Sequence, residues 1–436
     1  MPTDEENLVT SASDDVSMPQ QPRRAALVFI FITVVLDMLA LGMIVPVLPK
    51  LVEDLMHGNT ARAAEIIGWF GAVWAFMQFV FSPVMGALSD RFGRRPVVLT
   101  SNFGLGLDYI VMALAPTVGW LFLGRVISGI TSASFSTASA YIADVAPPEK
   151  RAGGFGMLNA AFGLGFVLGP AVGGVLGNID PRLPFWVAAG LSLLNGMYGL
   201  FVLPESLARD RREAFSWRRA NPIGSITLLR SHVELTGLAV VNFLGGIAHE
   251  ALPTIFVLYA MYRYGWNVRT VSIAISTVGL CSAVVGAGMV QPVVARFGER
   301  RTMLAGLFFG TAGYLIYGFA STGLIFWTGV PIGALWGLSG PSMQGLMTRR
   351  VKSSEQGQLQ GAINSLRGIA FMIGPILFST ALAASIDAKS QWHFPGTPFL
   401  LAGFLLFASM VMAWRVTAPV STAAMTPAPQ PAEALD

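Results

Sequence analysis

Gly86-Ala87-Leu88-Ser89-Asp90-Arg91-Phe92-Gly93-Arg94-Arg95-Pro96 is a short turn with a glycine near each end, one acid and three bases, and it stands between two long apolar runs. An apolar run of about 20 residues makes a helix about 30 Å long, the thickness of the hydrocarbon core of a bilayer. A charged turn between two such runs therefore reads as a hairpin at one face of a membrane. Outward from it the pattern repeats, with spans at 25–48, 65–88, 96–115, 118–143, 153–177, 184–204, 233–258, 269–295, 302–321, 322–348, 356–385 and 397–417. Composition agrees: of 436 residues 53% are hydrophobic and 12% charged, and the mean hydropathy is +0.61, far from the balance of soluble domains. The sequence predicts an all-α membrane protein of twelve transmembrane helices.

An even number of crossings puts both termini on one face. That face carries 20 Lys and Arg, the opposite face 6 and the spans 2, and the positive-inside rule assigns the basic face to the cytoplasm. The net charge of +4 is thus topological and calls for no nucleic acid. The longest basic loop, 205–232, holds Arg209, Arg211, Arg212, Arg218, Arg219 and Arg230 and divides six spans from six, so it reads as a solvated cytoplasmic linker. Residues 1–24, with Asp4, Glu5, Glu6, Asp14 and Asp15, and residues 418–436, rich in Ala and Pro, read as disordered cytoplasmic tails. The first of these lacks the basic start and cleavage site of a secretory signal. Cys281 is the single cysteine, which leaves neither a disulfide framework nor a thiolate metal site. With no phosphate-binding Gly-Lys-Ser/Thr loop, no His-Glu-x-x-His pair and no Gly-x-Ser-x-Gly elbow, neither an enzyme nor a cofactor or metal is expected.

Sliding the sequence against itself gives matches at one offset, 205 residues. Asn159, Gly163, Gly169 and Pro170 meet Asn364, Gly368, Gly374 and Pro375; Arg91-Phe92-Gly93 meets Arg296-Phe297-Gly298; Asp37 meets Asn242. A duplication leaves such a trace. It implies two pseudo-symmetric six-helix bundles, 25–204 and 233–417, with a substrate site between them near the membrane midplane. In the quoted turn Asp90 suits a helix N-terminus or a guanidinium, and Arg91, Arg94 and Arg95 suit acids at opposed helix ends, so the turn can latch one conformation. The plainer reading is that these bases only set topology. Ala295 stands where the second copy would need the acid of Asp90, so a latch is expected to be asymmetric.

Placing a charge at the bilayer centre costs about 2.5–3.5 kcal/mol on insertion scales, which makes intramembrane ionisable residues functional candidates. They are few: Asp37 and Asp108, each about 12 residues into its span, Glu250 beside His249 in the seventh, Arg125 in the fourth and Arg367 in the eleventh. A carboxyl kept from water is a group whose protonation can be coupled to a transport cycle. The alternative is a fixed carboxylate neutralised by Arg125. In the fifth span Gly165, Gly169, Gly173 and Gly177 recur every four residues, with Gly163, Gly174 and Pro170 among them. Such a stripe lets another helix backbone pack closely, and the proline favours a bend.

The turn from Gly86 to Pro96 is similar to the signature loop of the major facilitator superfamily, and the resemblance extends over essentially all the spans. The fifth span, through Gly163, Gly165, Gly169, Pro170, Gly173 and Gly174, resembles the glycine-proline motif of drug/proton antiporters. Ser89 to Val97, Asp108-Tyr109, Gly124-Arg125, Ser128-Gly129-Ile130-Thr131, Ile142-Ala143-Asp144, Gln356-Gly357 and Leu359-Gln360-Gly361 resemble stretches of the tetracycline/proton antiporters. Asp37, followed by Gly42 and Pro46 to Pro49, fits as well. The resemblance implies the major facilitator fold and export of an amphipathic, tetracycline-like drug by alternating access. It implies an energy source in the proton gradient, no cofactor, and a monomer in a bacterial inner membrane. It carries functional importance to Asp37, Asp90, Arg94 and Asp108; Gly86, Arg91, Gly93, Arg95 and Asp144 complete the expected latch. Two departures stand out. Those antiporters place a carboxylate in the ninth helix where this chain reads Phe309-Gly310-Thr311, and their eighth-helix histidine is Ser282 here. Glu250 or His249 is left as a stand-in, and a different substrate is the other way to read the same change. A proton-coupled importer of a sugar or small metabolite, and a membrane receptor that no longer transports, are the competing readings, since a fold does not fix a function.

Overall fold

The structure, a computed structural model, describes residues 21–131, 134–146, 148–215, 233–387 and 393–418. Residues 1–20 and 419–436 of the expected tails and 216–232 of the expected linker fall outside them; residues 21–24, expected in the first tail, instead belong to the first helix. Among the described residues ten helices are long and apolar enough to cross a membrane, and Val118–Thr131 is a shorter apolar one. The longest, Val268–Phe319, has 52 residues, about 78 Å of helix and more than twice the hydrocarbon thickness. It folds back at Gly298, whose φ of 78° and ψ of 160° are not helical, and so supplies two crossings. With Val118–Thr131 and Ser134–Val145 taken as one, the described residues group into twelve.

In the first half α1 comprises Gln21–Ile44 and, after a turn, Leu48–Leu55; α2 is Thr60–Phe92, α3 Arg94–Leu114, α4 Val118–Thr131 with Ser134–Val145, α5 Pro148–Ile179 and α6 Leu183–Val202. In the second, α7 is Val233–His249 with Ala251–Tyr264; α8 runs from Val268–Val284 through a π-type turn at Val285–Met289 to 297; α9 is 299–319. α10 comprises Gly323–Ala334, a 3-10 turn at Leu335–Leu338 and Ser339–Thr348; α11 is Gln356–Ile386 and α12 Thr397–Val416. No strand occurs among the described residues.

Local chemistry starts and stops these helices. Asn59 Oδ1 accepts from the Arg62 N–H at 2.9 Å to open α2, and Asn267 Oδ1 accepts from the Thr270 N–H at 2.9 Å to open α8; such caps satisfy orphan donors at a helix start. The reversal from α2 to α3 turns on Gly93, at φ 107°, and its counterpart one repeat later is Gly298. A side chain is rarely tolerated at such φ. Within the first half α1 lies along the α5 glycine stripe. A Cβ on Gly169 would stand 2.6 Å from the Gly42 Cα, one on Gly165 2.8 Å from the Leu39 N, and Gly173 is pressed just as closely on the Met43 backbone. In the second half a cluster of Tyr259, Tyr317, Phe326 and Phe399 fills the core, the Tyr317 and Phe326 rings stacking at 4.3 Å.

The two halves meet along α2 with α11 and along α5 with α8. Gly71 abuts Pro375, Gly68 abuts Ser379, Gly177 abuts Val268, and Ser276 Oγ donates to the Val167 carbonyl at 3.0 Å. All of these positions lie from the middle of the helices to the end remote from the chain termini. Toward the other end the same helices part. Gly153, Gly156 and Gly163 on α5, Gly286 and Gly288 on α8, Gly86 on α2 and Gly357 on α11 all face open space, with nothing within 4 Å of a Cβ built there. A cavity therefore opens toward the termini.

Candidate functional site

The signature turn closes on itself within the first half. Arg94 bonds Asp90 through Nη1 and Asp144, at the end of α4, through Nε at 3.0 Å; Nη1 also donates to Ser89 Oγ at 3.1 Å. Arg95 Nη2 donates to the Leu200 carbonyl of α6 at 2.6 Å, and the Arg91 guanidinium lies over its own neighbour, the Phe92 ring, at 5.0 Å. Gly86 faces open space, while Gly93 is walled in by Glu205 and Arg212.

Glu205 is the member of this network that the sequence reading missed. Its Oε1 accepts from the Arg94 N–H at 2.8 Å and its Oε2 from the Arg95 N–H at 3.3 Å, so one carboxylate caps α3 from 110 residues away. A charged acceptor on the free N–H groups of a helix start satisfies hydrogen bonds and the helix dipole together. Gly93 leaves the space for it. Pro204-Glu205-Ser206 places an acid directly after a proline at the end of α6, and nothing in that spacing names a partner 110 residues away. Ser206 Oγ also donates to Asp144 at 3.2 Å.

The second copy of the turn, which lacks the acid of Asp90 at Ala295, carries a pair of its own. Glu299 Oε1 meets Arg349 Nη2 at 3.0 Å, and these positions are the repeat counterparts of Arg94 and Asp144, 205 residues on. Both halves thus tie the start of their third helix to the end of their fourth, with the charges exchanged. The asymmetry lies in burial: the Arg94 side chain is 11% exposed and that of Arg349 76%.

Deeper in the first half Asp108 is fully buried on α3. Arg125, also buried, comes from α4 with its Nη2 3.8 Å from Asp108 Oδ2 and 3.1 Å from the Met112 sulfur. Neither carboxylate oxygen has a close hydrogen-bond partner, though Ser128 stands near. Gly124 makes the room: a Cβ there would stand 2.7 Å from Asp108 Oδ1 and 2.6 Å from Met112 Cγ. Asp37 is buried on α1, and the buried Tyr109 ring of α3 lies within electrostatic range of it.

His249 and Glu250 form a separate group in the second half, where α7 breaks. The His249 ring lies 5.7 Å from Trp336 and 6.5 Å from Phe371, and Glu250 presses its Cγ against Gly374 of α11, 2.8 Å from where a Cβ would be. Beside them are two cavities. One of about 320 Å³ is lined by Asn242, Gln344, Met343 and Arg367; the other, of about 350 Å³, lies between α2 and α11 and is lined by Gln78, Phe79, Asn364, Phe371 and Arg367. Of the antiporter-motif residues, Gly165, Gly169 and Gly173 serve the α1 seam, Gly174 abuts Ser272 of α8 in the other half, Pro170 packs beside Gly42, and Gly163 faces the open cavity. No group of three or more His, Cys, Asp or Glu suited to a metal occurs among the described residues.

Comparison with known proteins places this architecture. The model of the Major Facilitator Superfamily matches residues 30–375 and 238–434. The tetracycline resistance protein, class C, of Escherichia coli is 37% identical over 371 residues, covering 84% of this chain and 91% of that protein. The class G protein of Vibrio anguillarum is 34% identical over 376 residues, covering 85% and 93%. Among solved structures the D-xylose-proton symporter superposes with a TM-score of 0.70 at 18% identity, over 90% of this chain and 98% of that one, a likeness of fold alone. Two bundles of membrane-spanning helices, a signature turn at the same place in each and tetracycline-resistance relatives along most of its length make this chain a membrane transporter, not an enzyme, and it belongs to the major facilitator superfamily.

Proposed function

We propose that the protein is a secondary antiporter that expels an amphipathic, tetracycline-like drug in exchange for protons. The moving units are the halves 25–204 and 233–417, joined by the 205–232 segment. The protein works as a monomer in a bacterial inner membrane with both termini in the cytoplasm, so that the cavity opens inward in the form described above. The observation that carries the reading is Asp108, fully buried within 4 Å of Arg125 and without a close hydrogen bond. A charge held so sparely in a membrane span changes its local balance when a proton arrives.

Protonation of Asp108, together with Asp37 on α1 and Glu250 or His249 in the second half, favours one opening; substrate favours the other. Each ligand works by binding the two forms unequally. The Asp90, Arg91, Arg94, Arg95 and Asp144 cluster, hinged at Gly86 and Gly93, steadies the first half at the cytoplasmic face. The glycine stripe keeps α1 and α5 in register as that half rocks. Tetracycline uptake into inverted vesicles under an imposed pH gradient tests the reading. Asp108→Asn is expected to abolish gradient-driven uptake, and uptake at the wild-type rate in that variant removes Asp108 from the mechanism.

A further inference from the structure

We infer that the cargo carries an anionic group and that Arg367 of α11 receives it; the assignment rests on the exporter reading and names the substrate class within it. Arg367 stands 11 residues beyond Gln356 on a 31-residue helix, well inside the span. It lines both cavities and is exposed within them. Among the described residues no carboxylate pairs with it and none lines either cavity.

An unpaired cation deep in a membrane protein faces water or a ligand of opposite charge. The side chains around this one are suited to the second task. Asn242 and Gln344 flank it in one cavity and Gln78 and Asn364 in the other, all amides that can add hydrogen bonds to an oxyanion without cancelling the guanidinium charge. Arginine offers a planar fork that matches a carboxylate, sulfonate or phosphate in two-point contact. Phe79 and Phe371 line the α2–α11 cavity with it, an aromatic wall for the apolar body of the same molecule.

Topology does not explain the charge. The repeat position in the first half is Phe162, 205 residues earlier, which is exposed and stacks on Phe166 at 6.0 Å. The duplicated helices therefore carry an aromatic ring in one half and a cation in the other, at equal depth.

Two probes with one ring system, radiolabelled 2-naphthoate and 2-naphthamide, separate charge from shape. Equilibrium dialysis uses the full-length protein in nanodiscs of zwitterionic lipid. Wild type is expected to bind naphthoate at least tenfold more tightly than naphthamide. Arg367→Gln is expected to lose that tenfold while holding naphthamide as before. Arg367→Lys, which keeps the charge and loses the fork, is expected to prefer naphthoate by a smaller factor. Wild type that binds the two probes alike overturns the proposal, as does an Arg367→Gln protein with the wild-type preference or an Arg367→Lys protein with none. Doping the nanodiscs with phosphatidylglycerol is expected to leave naphthoate binding unchanged; competition by that headgroup assigns Arg367 to lipid and overturns the cargo assignment. No proton gradient enters the measurement, so a failure here leaves the Asp108→Asn transport result standing, and a failure there leaves this one.

Discussion

Asp108 and Arg125 are 17 positions apart on antiparallel neighbours, and what joins them is the absence of a side chain at Gly124. The pair is held at 3.8 Å, longer than a hydrogen bond, with the guanidinium turned partly to the Met112 sulfur. Removing one member of a buried pair strands the other, at a cost of about 3–5 kcal/mol in measured cases. Arg125→Ala is therefore expected to lower the thermal melting point of the purified protein markedly, and adding Asp108→Asn is expected to restore most of the loss while leaving transport dead. Tryptophan-fluorescence melting checks this; an Arg125→Ala protein as stable as wild type shows that the pair holds nothing together. Glu205 acts at the same scale by another route, because its carboxylate fixes the start of α3 through two backbone N–H groups.

Among elements, the α1–α5 seam depends most on particular side chains. Gly169 and Gly42 bring two backbones into contact, so that a methyl group on either has nowhere to go. Overpacking of this kind costs about 1–3 kcal/mol. Gly169→Ala is expected to lower both melting point and export rate, whereas Gly163→Ala, six residues earlier in the same motif and facing open cavity, is expected to leave stability within about 0.5 kcal/mol of wild type. Parallel melting curves of the two variants decide it, and equal losses in both mean that the motif acts through something other than this seam. The ion pairs at the helix ends behave as elements too: Arg94 with Asp144 and Glu299 with Arg349 hold the same two helix termini in each half with opposite polarity. What the repeat conserves is the tie, not the sign.

For the whole molecule, the contacts between halves run from the middle of the helices to the end away from the termini. Alternating access requires them to break. A Cβ on Gly279 would stand 4.0 Å from the Val167 Cβ, inside the span of about 3.5–4.5 Å that a disulfide bridges. With Cys281 replaced by serine, Val167→Cys with Gly279→Cys is expected to cross-link on oxidation and stop transport until reduced. Substrate with a proton gradient is expected to slow the linking by separating the two helices. Gly156→Cys with Gly286→Cys, at the open end, is expected not to link at rest. Mass spectrometry of the digested protein reads the bridges; a rate of outer linking that turnover does not change speaks against rocking at this interface.

Much of this is legible in the amino-acid sequence alone. Spans, the reversal at each signature turn and the internal duplication follow from hydropathy, glycine placement and a constant offset, because a bilayer makes every helix satisfy its own backbone hydrogen bonds and so leaves a one-dimensional record. Asp37, Asp108 and Arg125 were also visible, since a charge in an apolar run is conspicuous. Arg125 was a candidate partner for the buried acids, but which acid it meets was not visible. The sequence could not say that Arg125 meets Asp108, that Glu205 reaches back 110 residues to cap α3, or that Arg349 answers Glu299. Which face of α11 bears Arg367, and that the halves touch at one end and part at the other, likewise depended on how the helices rotate and pack. Sequence determined how many times the chain crosses and where its charges lie along each helix; only the tertiary structure decided which of those charges meet, because pairing depends on distances between helices that no periodicity within one helix encodes.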